Sequence, residues 1–156
     1  MLSDLWTDDP IPPAALWLGL AGLLPFVWGL VTVFVPQAAL WTVALVGPRF
    51  VGPYVSLFYG AVILSFMSGV LWGFATKAEG SAAAGYALSV LPALWVFFTT
   101  GGGSAAAAVA LIAGFAGLLG LDWLFWHHGF APRWWMKLRL ILTGGVVLCL
   151  LPLALL

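Results

Sequence analysis

Charged side chains are scarce in this sequence. Only 6% of its 156 residues are Asp, Glu, Lys or Arg, whereas 64% are hydrophobic. A soluble domain carries about 25% charged residues, so a chain of this composition cannot cover a water-exposed surface. The scarcity of charge therefore predicts a protein embedded in a lipid bilayer. The net charge of zero also argues against a nucleic-acid partner, which would need a basic face.

Cysteine and basic N-terminal residues are lacking as well. Cys149 is the single cysteine, which excludes an internal disulfide and a cysteine-based metal cluster. Residues 1–12 contain three aspartates and no Lys or Arg, whereas a signal peptide has a basic start before its apolar core. We therefore expect residues 1–12 to remain as a polar N-terminal segment, followed by a single transmembrane domain over residues 13–156.

Long apolar runs are abundant, and they predict membrane-spanning helices. A helix needs about 20 mostly apolar residues to cross a bilayer. Five runs meet or approach this length, at residues 13–35, 53–76, 82–99, 105–126 and 134–155. None of them shows the alternation of a membrane β-barrel. The sequence therefore predicts an all-α integral membrane protein with a five-transmembrane-helix bundle.

Small residues and prolines indicate how these helices pack. Ser65, Gly69 and Gly73 are spaced four apart and share one face of the second span, where neighbouring helix backbones can approach closely. Pro25 lies in the middle of the first span and predicts a kink near Gly22. We expect all five residues to lie at helix contacts.

The basic residues predict an orientation. With five spans, Lys77, Arg133, Lys137 and Arg139 fall on the side of the N-terminus, and only Arg49 falls on the other. Lys and Arg favour the cytoplasmic side of a membrane. We therefore expect a multi-pass protein of the bacterial inner membrane, with a cytoplasmic N-terminus and a periplasmic C-terminus.

Asp122 is the one acidic residue within a predicted span. A carboxylate at this depth is unfavourable unless it is paired. The fourth and fifth spans form a hairpin centred on residues 130–131, which places Asp122 and Arg139 at the same depth. We expect these two residues to form an ion pair, with Arg133 as an alternative partner. Without that pair, Asp122 would be a candidate for ligand or proton binding.

The ten tryptophans favour a belt at the membrane interfaces. Trp17, Trp28 and Trp95 lie deeper and could instead line a cavity for a flat ligand. The sequence predicts no metal site, because the adjacent pair His127 and His128 chelates poorly and lacks further ligands. It shows no nucleophile–base pair, so we expect neither a cofactor nor an enzyme.

Several short segments carry a resemblance to a known family. They are 18–26, 59–66, the pair Trp72-Gly73, and Leu138-Arg139 followed by Leu142-Thr143. In these segments the chain resembles the domain-of-unknown-function 3429 family of small, transmembrane protein 69-like integral membrane proteins, found in bacteria and animal mitochondria. The resemblance implies membrane placement and no particular activity. Leu71 departs from the family pattern, which often has histidine there.

Two functions fit these features. The first is a non-catalytic accessory or assembly subunit that packs against a larger membrane complex, as the short polar loops and small-residue face indicate, with a bioenergetic complex as one candidate. The alternative is a binder or carrier of a small hydrophobic ligand, such as a lipid, quinone or porphyrin, held among the aromatic residues near the Pro25 kink. Both imply the bilayer as a partner, and the first implies other membrane subunits.

Overall fold

The computed structural model describes residues 9–78 and 82–156, which form eight α-helices. They are α1 (Pro13–Ala21), α2 (Leu24–Phe34), α3 (Pro36–Val46), α4 (Tyr54–Ala75), α5 (Ala82–Ser89), α6 (Leu91–Thr99), α7 (Ser104–His127) and α8 (Trp135–Ala154). Most of the polar segment predicted at residues 1–12, namely residues 1–8, lies outside the described part. The described residues contain no strand, so the all-α class is confirmed.

Four helical stretches in the described ranges are long and apolar enough to cross a membrane: Pro13–Phe34, Tyr54–Ala75, Ser104–His127 and Trp135–Ala154. They correspond to four of the five predicted spans. The remaining predicted span, 82–99, consists of the two short helices α5 and α6. The prediction of a helical membrane protein is therefore confirmed, whereas the structure does not show five long spanning helices.

Prolines interrupt two of the predicted spans. Pro25 has no N–H to donate to the carbonyl four residues earlier, and α1 ends at Ala21 while α2 begins at Leu24. In the break, the N–H groups of Leu23 and Phe26 donate to carbonyls three residues earlier. The interruption lies where the kink was predicted, at Gly22. Pro92 similarly stands just after the break between α5 and α6.

Helix α4 is the centre of the bundle, because it packs against α2, α5, α6 and α7. The face of α4 that makes these contacts differs from the predicted one. The buried side of α4 carries Ser56, Gly60, Leu64, Met67, Ser68, Leu71 and Ala75. Ser65, Gly69 and Gly73 are exposed on another side, and a Cβ atom on either glycine would meet nothing within 4 Å. The predicted face therefore does not hold this chain's own helices together.

A close backbone approach lies between α2 and the residues around the start of α4. A Cβ on Gly29 of α2 would overlap the side-chain oxygen of Ser56, and a Cβ on Gly52 would overlap the Gly29 carbonyl. Thr32 Oγ1 accepts a hydrogen bond from the Gly52 N–H at 2.8 Å. Glycine at positions 29 and 52 thus permits a contact that any side chain would prevent.

Helices α4 and α7 run in the same direction. Gly60 packs against Leu111, and Leu64 against Gly114, so residue numbers increase together along both helices. The intervening helices α5 and α6 run back alongside α4. Gly85 lies against Ala75 at one end, and the Ala93 N–H donates to Ser68 Oγ at 2.9 Å further along. The chain between α4 and α7 therefore returns along the length of the bundle.

Candidate functional site

Asp122 and Arg139 meet inside the hairpin of α7 and α8. Arg139 Nε lies 2.6 Å from Asp122 Oδ2, and both side chains are buried. Trp135 also donates its Nε1–H to Asp122 Oδ1 at 2.9 Å, so each carboxylate oxygen has a partner. The structure thus contains the ion pair that the hairpin register predicts. Such pairing is what makes a carboxylate tolerable within a membrane span.

Trp135 is the member of this site that sequence analysis missed. Its position near the end of a span suggested a residue at the membrane interface. However, Trp135 lies four residues before Arg139 on α8, so the same hairpin register places it beside α7. Arg133, the predicted alternative partner, is exposed in the turn. Its backbone carbonyl accepts a hydrogen bond from Trp126 Nε1 at 3.1 Å. The second partner of Asp122 is therefore the Trp135 indole and not Arg133.

The ion pair leaves part of the arginine without a protein partner. Arg139 Nη2 is buried and has no hydrogen-bond partner among the described residues, and the same holds for Thr143 Oγ1. The two residues are four apart on α8 and therefore share one face. Only 4% of Arg139 and 6% of Thr143 are exposed. One turn of α8 thus holds two buried groups able to donate hydrogen bonds.

A cavity of about 280 Å³ lies beside this turn. Arg139 and Thr143 line it together with Gly19 and Gly22 from the broken first span. Tyr59 also lines it, and its hydroxyl lies 3.6 Å from where a Gly22 Cβ would stand. Non-helical backbone at membrane depth is expected where it is buried in protein or lines a cavity, and Gly22 at the break lines this cavity.

The three tryptophans proposed as cavity residues do not converge. Trp17, Trp28 and Trp95 are 70%, 40% and 42% exposed, and none lines the cavity beside Arg139. Trp95 borders a wider groove between α6 and α7, where its Nε1–H donates to the Ala110 carbonyl at 2.7 Å. The structure thus separates the aromatic residues of that prediction from the cavity at the Gly22 break.

The two histidines stack on aromatic neighbours rather than on each other. The His127 ring lies 5.1 Å from Trp123 and nearly parallel to it, and His128 stacks on Phe130 at 6.2 Å. His128 Nδ1 also lies 2.8 Å from the Leu124 carbonyl oxygen. Within residues 9–78 and 82–156, no three His, Cys, Asp or Glu side chains come together as a metal site.

These features define a multi-pass helical membrane protein with a buried ion pair next to a helix break. The profile of a protein family described as "Protein of unknown function (DUF3429)" matches residues 11–155, so the chain belongs to that family. It is similar to Transmembrane protein 69 of Xenopus tropicalis, at 34% identity over 162 residues. That match covers 94% of this chain and 56% of the relative, so the chain spans little more than half of it. No solved structure matches.

Proposed function

We propose that this protein is a non-catalytic accessory or assembly subunit that docks a transmembrane helix of a larger membrane complex onto α4. The observation that supports this proposal is the exposed row of Ser65, Gly69 and Gly73, which we call the α4 outer row. Both glycines are open to the outside. Ser65 is exposed as well, so the row is open to a partner as far as the described residues extend.

The shape of the α4 outer row suits a second helix. Val62 and Phe66 are exposed beside it, so the row forms a shallow channel next to larger side chains. Helices in lipid associate through close packing at small residues. Lipid tails are as apolar as the helix surfaces, so the hydrophobic effect does not drive this association. A glycine that faces lipid makes no such close contact with another helix. Bioenergetic complexes are the first partners to test.

The proposal includes a topology with five crossings. The supporting observation is that α5 and α6 run back along α4, and that α4 and α7 point the same way. Residues 82–99 would then cross the bilayer as a helix broken between α5 and α6. Near this break the Ala93 N–H donates a hydrogen bond to Ser68 Oγ, so it is not left unpaired. The distribution of Lys and Arg then favours a cytoplasmic N-terminus and a periplasmic C-terminus in a bacterial inner membrane.

Substitution of the α4 outer row tests the docking proposal. Gly69→Leu places its side chain in the channel, at a position where a Cβ would meet nothing within 4 Å among the described residues. Gly144→Leu on α8 is the matched control, since Gly144 is equally open but stands among large exposed residues such as Leu140 and Leu148. We expect both variants to accumulate and to unfold as the wild type does.

The readout is the assembly that each variant forms after extraction in a mild detergent. We expect the wild type and Gly144→Leu to migrate in a complex larger than a monomer with a partner in fixed stoichiometry. Gly69→Leu should migrate as a monomer. The proposal fails if the wild type is monomeric under these conditions, or if Gly69→Leu retains the same partner in the same ratio.

A further inference from the structure

We propose that the cavity at the Gly22 break binds a neutral amphipathic molecule through a carbonyl-type oxygen, which accepts hydrogen bonds from Arg139 and Thr143. This site is separate from the α4 outer row and goes beyond the docking function. We call it the break cavity, defined by Gly19, Gly22 and Tyr59 together with these two residues.

The polar groups of the break cavity indicate which part of a ligand they bind. Arg139 Nη2 is a donor only, and Thr143 Oγ1 can donate as well. Both are buried and have no hydrogen-bond partner in the described part of the chain, a state that native proteins rarely leave uncompensated. A single acceptor oxygen placed against this turn of α8 could satisfy both groups, so the ligand needs an oxygen such as that of a quinone or an ester.

The charge at the site favours a neutral ligand. The guanidinium of Arg139 is already balanced by Asp122, which it contacts at 2.6 Å. An anionic head group would leave one net negative charge inside the membrane span, which is unfavourable there. The break cavity should therefore discriminate against carboxylates and phosphates, even though arginine binds both strongly in other settings.

The remaining walls of the break cavity suit an apolar body that enters from the bilayer. Most of its lining is hydrocarbon, including Phe26, Phe115 and Val146. Leu18 and Phe66 also line it and are largely exposed on the outside of the bundle, so the mouth faces lipid. A volume of about 280 Å³ is near the lower end for ligand sites. It accommodates a head group, while a longer tail would remain in the bilayer.

Binding of a benzoquinone with a decyl chain tests the inference. Native mass spectrometry of the purified chain should show one bound molecule, whereas decylbenzene, which has no acceptor oxygen, and decanoate should bind much more weakly. The monoglyceride of decanoic acid presents an ester carbonyl on the same tail. The stronger of these two carbonyl probes identifies whether a quinone or an ester lipid is the better model.

Three variants separate a binding role from a structural one. Thr143→Val should weaken binding of the quinone probe about tenfold, and Thr143→Ser, which keeps the hydroxyl, should restore it. Ser56→Ala is the matched control, because Ser56 Oγ is also buried without a partner but lies outside the break cavity. Removal of either unpaired hydroxyl should leave thermal stability at or above that of the wild type.

Failure of this binding inference can be told apart from failure of the docking proposal. Gly69→Leu should bind the probe as the wild type does, because its position is on the outer row. The inference is overturned if decylbenzene binds as tightly as the carbonyl probes, if Thr143→Val and Ser56→Ala bind equally, or if no probe binds.

Discussion

At the scale of single residues, Asp122 holds the hairpin of α7 and α8 together. Its oxygens meet Arg139 Nε at 2.6 Å and Trp135 Nε1 at 2.9 Å, and both members of the ion pair are buried. Loss of one member of a buried ion pair leaves an unpaired charge, which is more damaging than loss of both. We therefore expect Asp122 and Arg139 together to stabilise the packing of α7 against α8 by more than the sum of their separate contributions.

A double-mutant cycle measures that coupling. We expect Asp122→Asn or Arg139→Gln alone to destabilise the protein by about 3–5 kcal/mol, and the double variant to lose less than the sum of the two. The measurement is the free energy of unfolding in detergent, with folded yield as a second readout. Strictly additive losses would contradict the role of the pair.

Trp135 should contribute separately through its indole N–H. Trp135→Phe removes the hydrogen bond to Asp122 but keeps an aromatic ring beside Phe74, whose centroid lies 5.1 Å away. Because hydrogen bonds to charged groups contribute about 1.5–3 kcal/mol, we expect a loss of that order in unfolding free energy. Trp134→Phe at the neighbouring position is the control and should lose less than Trp135→Phe. Equal losses would show that ring packing alone matters at position 135.

At the scale of elements, α4 has two small-residue faces with different surroundings. Ser56 and Gly60 face the bundle, whereas Gly69 and Gly73 face outward. Both faces have the spacing that indicates helix contact, and only the first contacts helices of this chain. We therefore expect opposite effects of an alanine substitution at Gly29 of α2, which packs against Ser56 on the buried face, and at Gly69 on the outward face.

Gly29→Ala should be strongly destabilising, because its new Cβ would overlap the side-chain oxygen of Ser56. Overpacking of this kind costs about 1–3 kcal/mol or more. Gly69→Ala should be neutral or stabilising by up to about 1 kcal/mol, since alanine favours helix and the site is open. Thermal unfolding of the two variants in one detergent makes the comparison. A stable Gly29→Ala would show that α2 and α4 are further apart than the structure has them.

At the scale of the whole molecule, the direction of the helices decides the topology. A five-crossing topology places the turn after α4 and the turn before α7 on opposite sides of the membrane. The residues Thr76 and Gly101 mark these turns, and both are exposed. The position of each residue relative to the membrane is therefore a direct measure of whether residues 82–99 cross.

Cysteine labelling in cells tests this topology. In a Cys149→Ser background, we expect an impermeant maleimide to label Gly101→Cys in cells whose outer membrane alone is permeable. Thr76→Cys should react only after the inner membrane is opened. Labelling of both from one side would exclude the fifth crossing, and the reverse pattern would keep five crossings but invert the orientation.

The site could be predicted in part because its register depends only on the hairpin. Asp122 and Arg139 are nearly symmetric about the turn, so any antiparallel packing of α7 and α8 brings them to one depth. The break at Gly22 follows from Pro25 for an equally local reason. Trp135 and the break cavity could not be found in this way, because they depend on how helices rotate about their axes and on which side chains meet.

Hydropathy and proline positions are enough to predict a helical membrane protein, the location of its long helices and the break in the first span. The buried face of α4 and the residues that border the cavity beside Arg139 become visible only once the helices are packed. Lipid tails are as apolar as a protein interior. Hydrophobicity therefore shows which segments enter the membrane, but side chains that face lipid and side chains that face other helices look alike in the sequence.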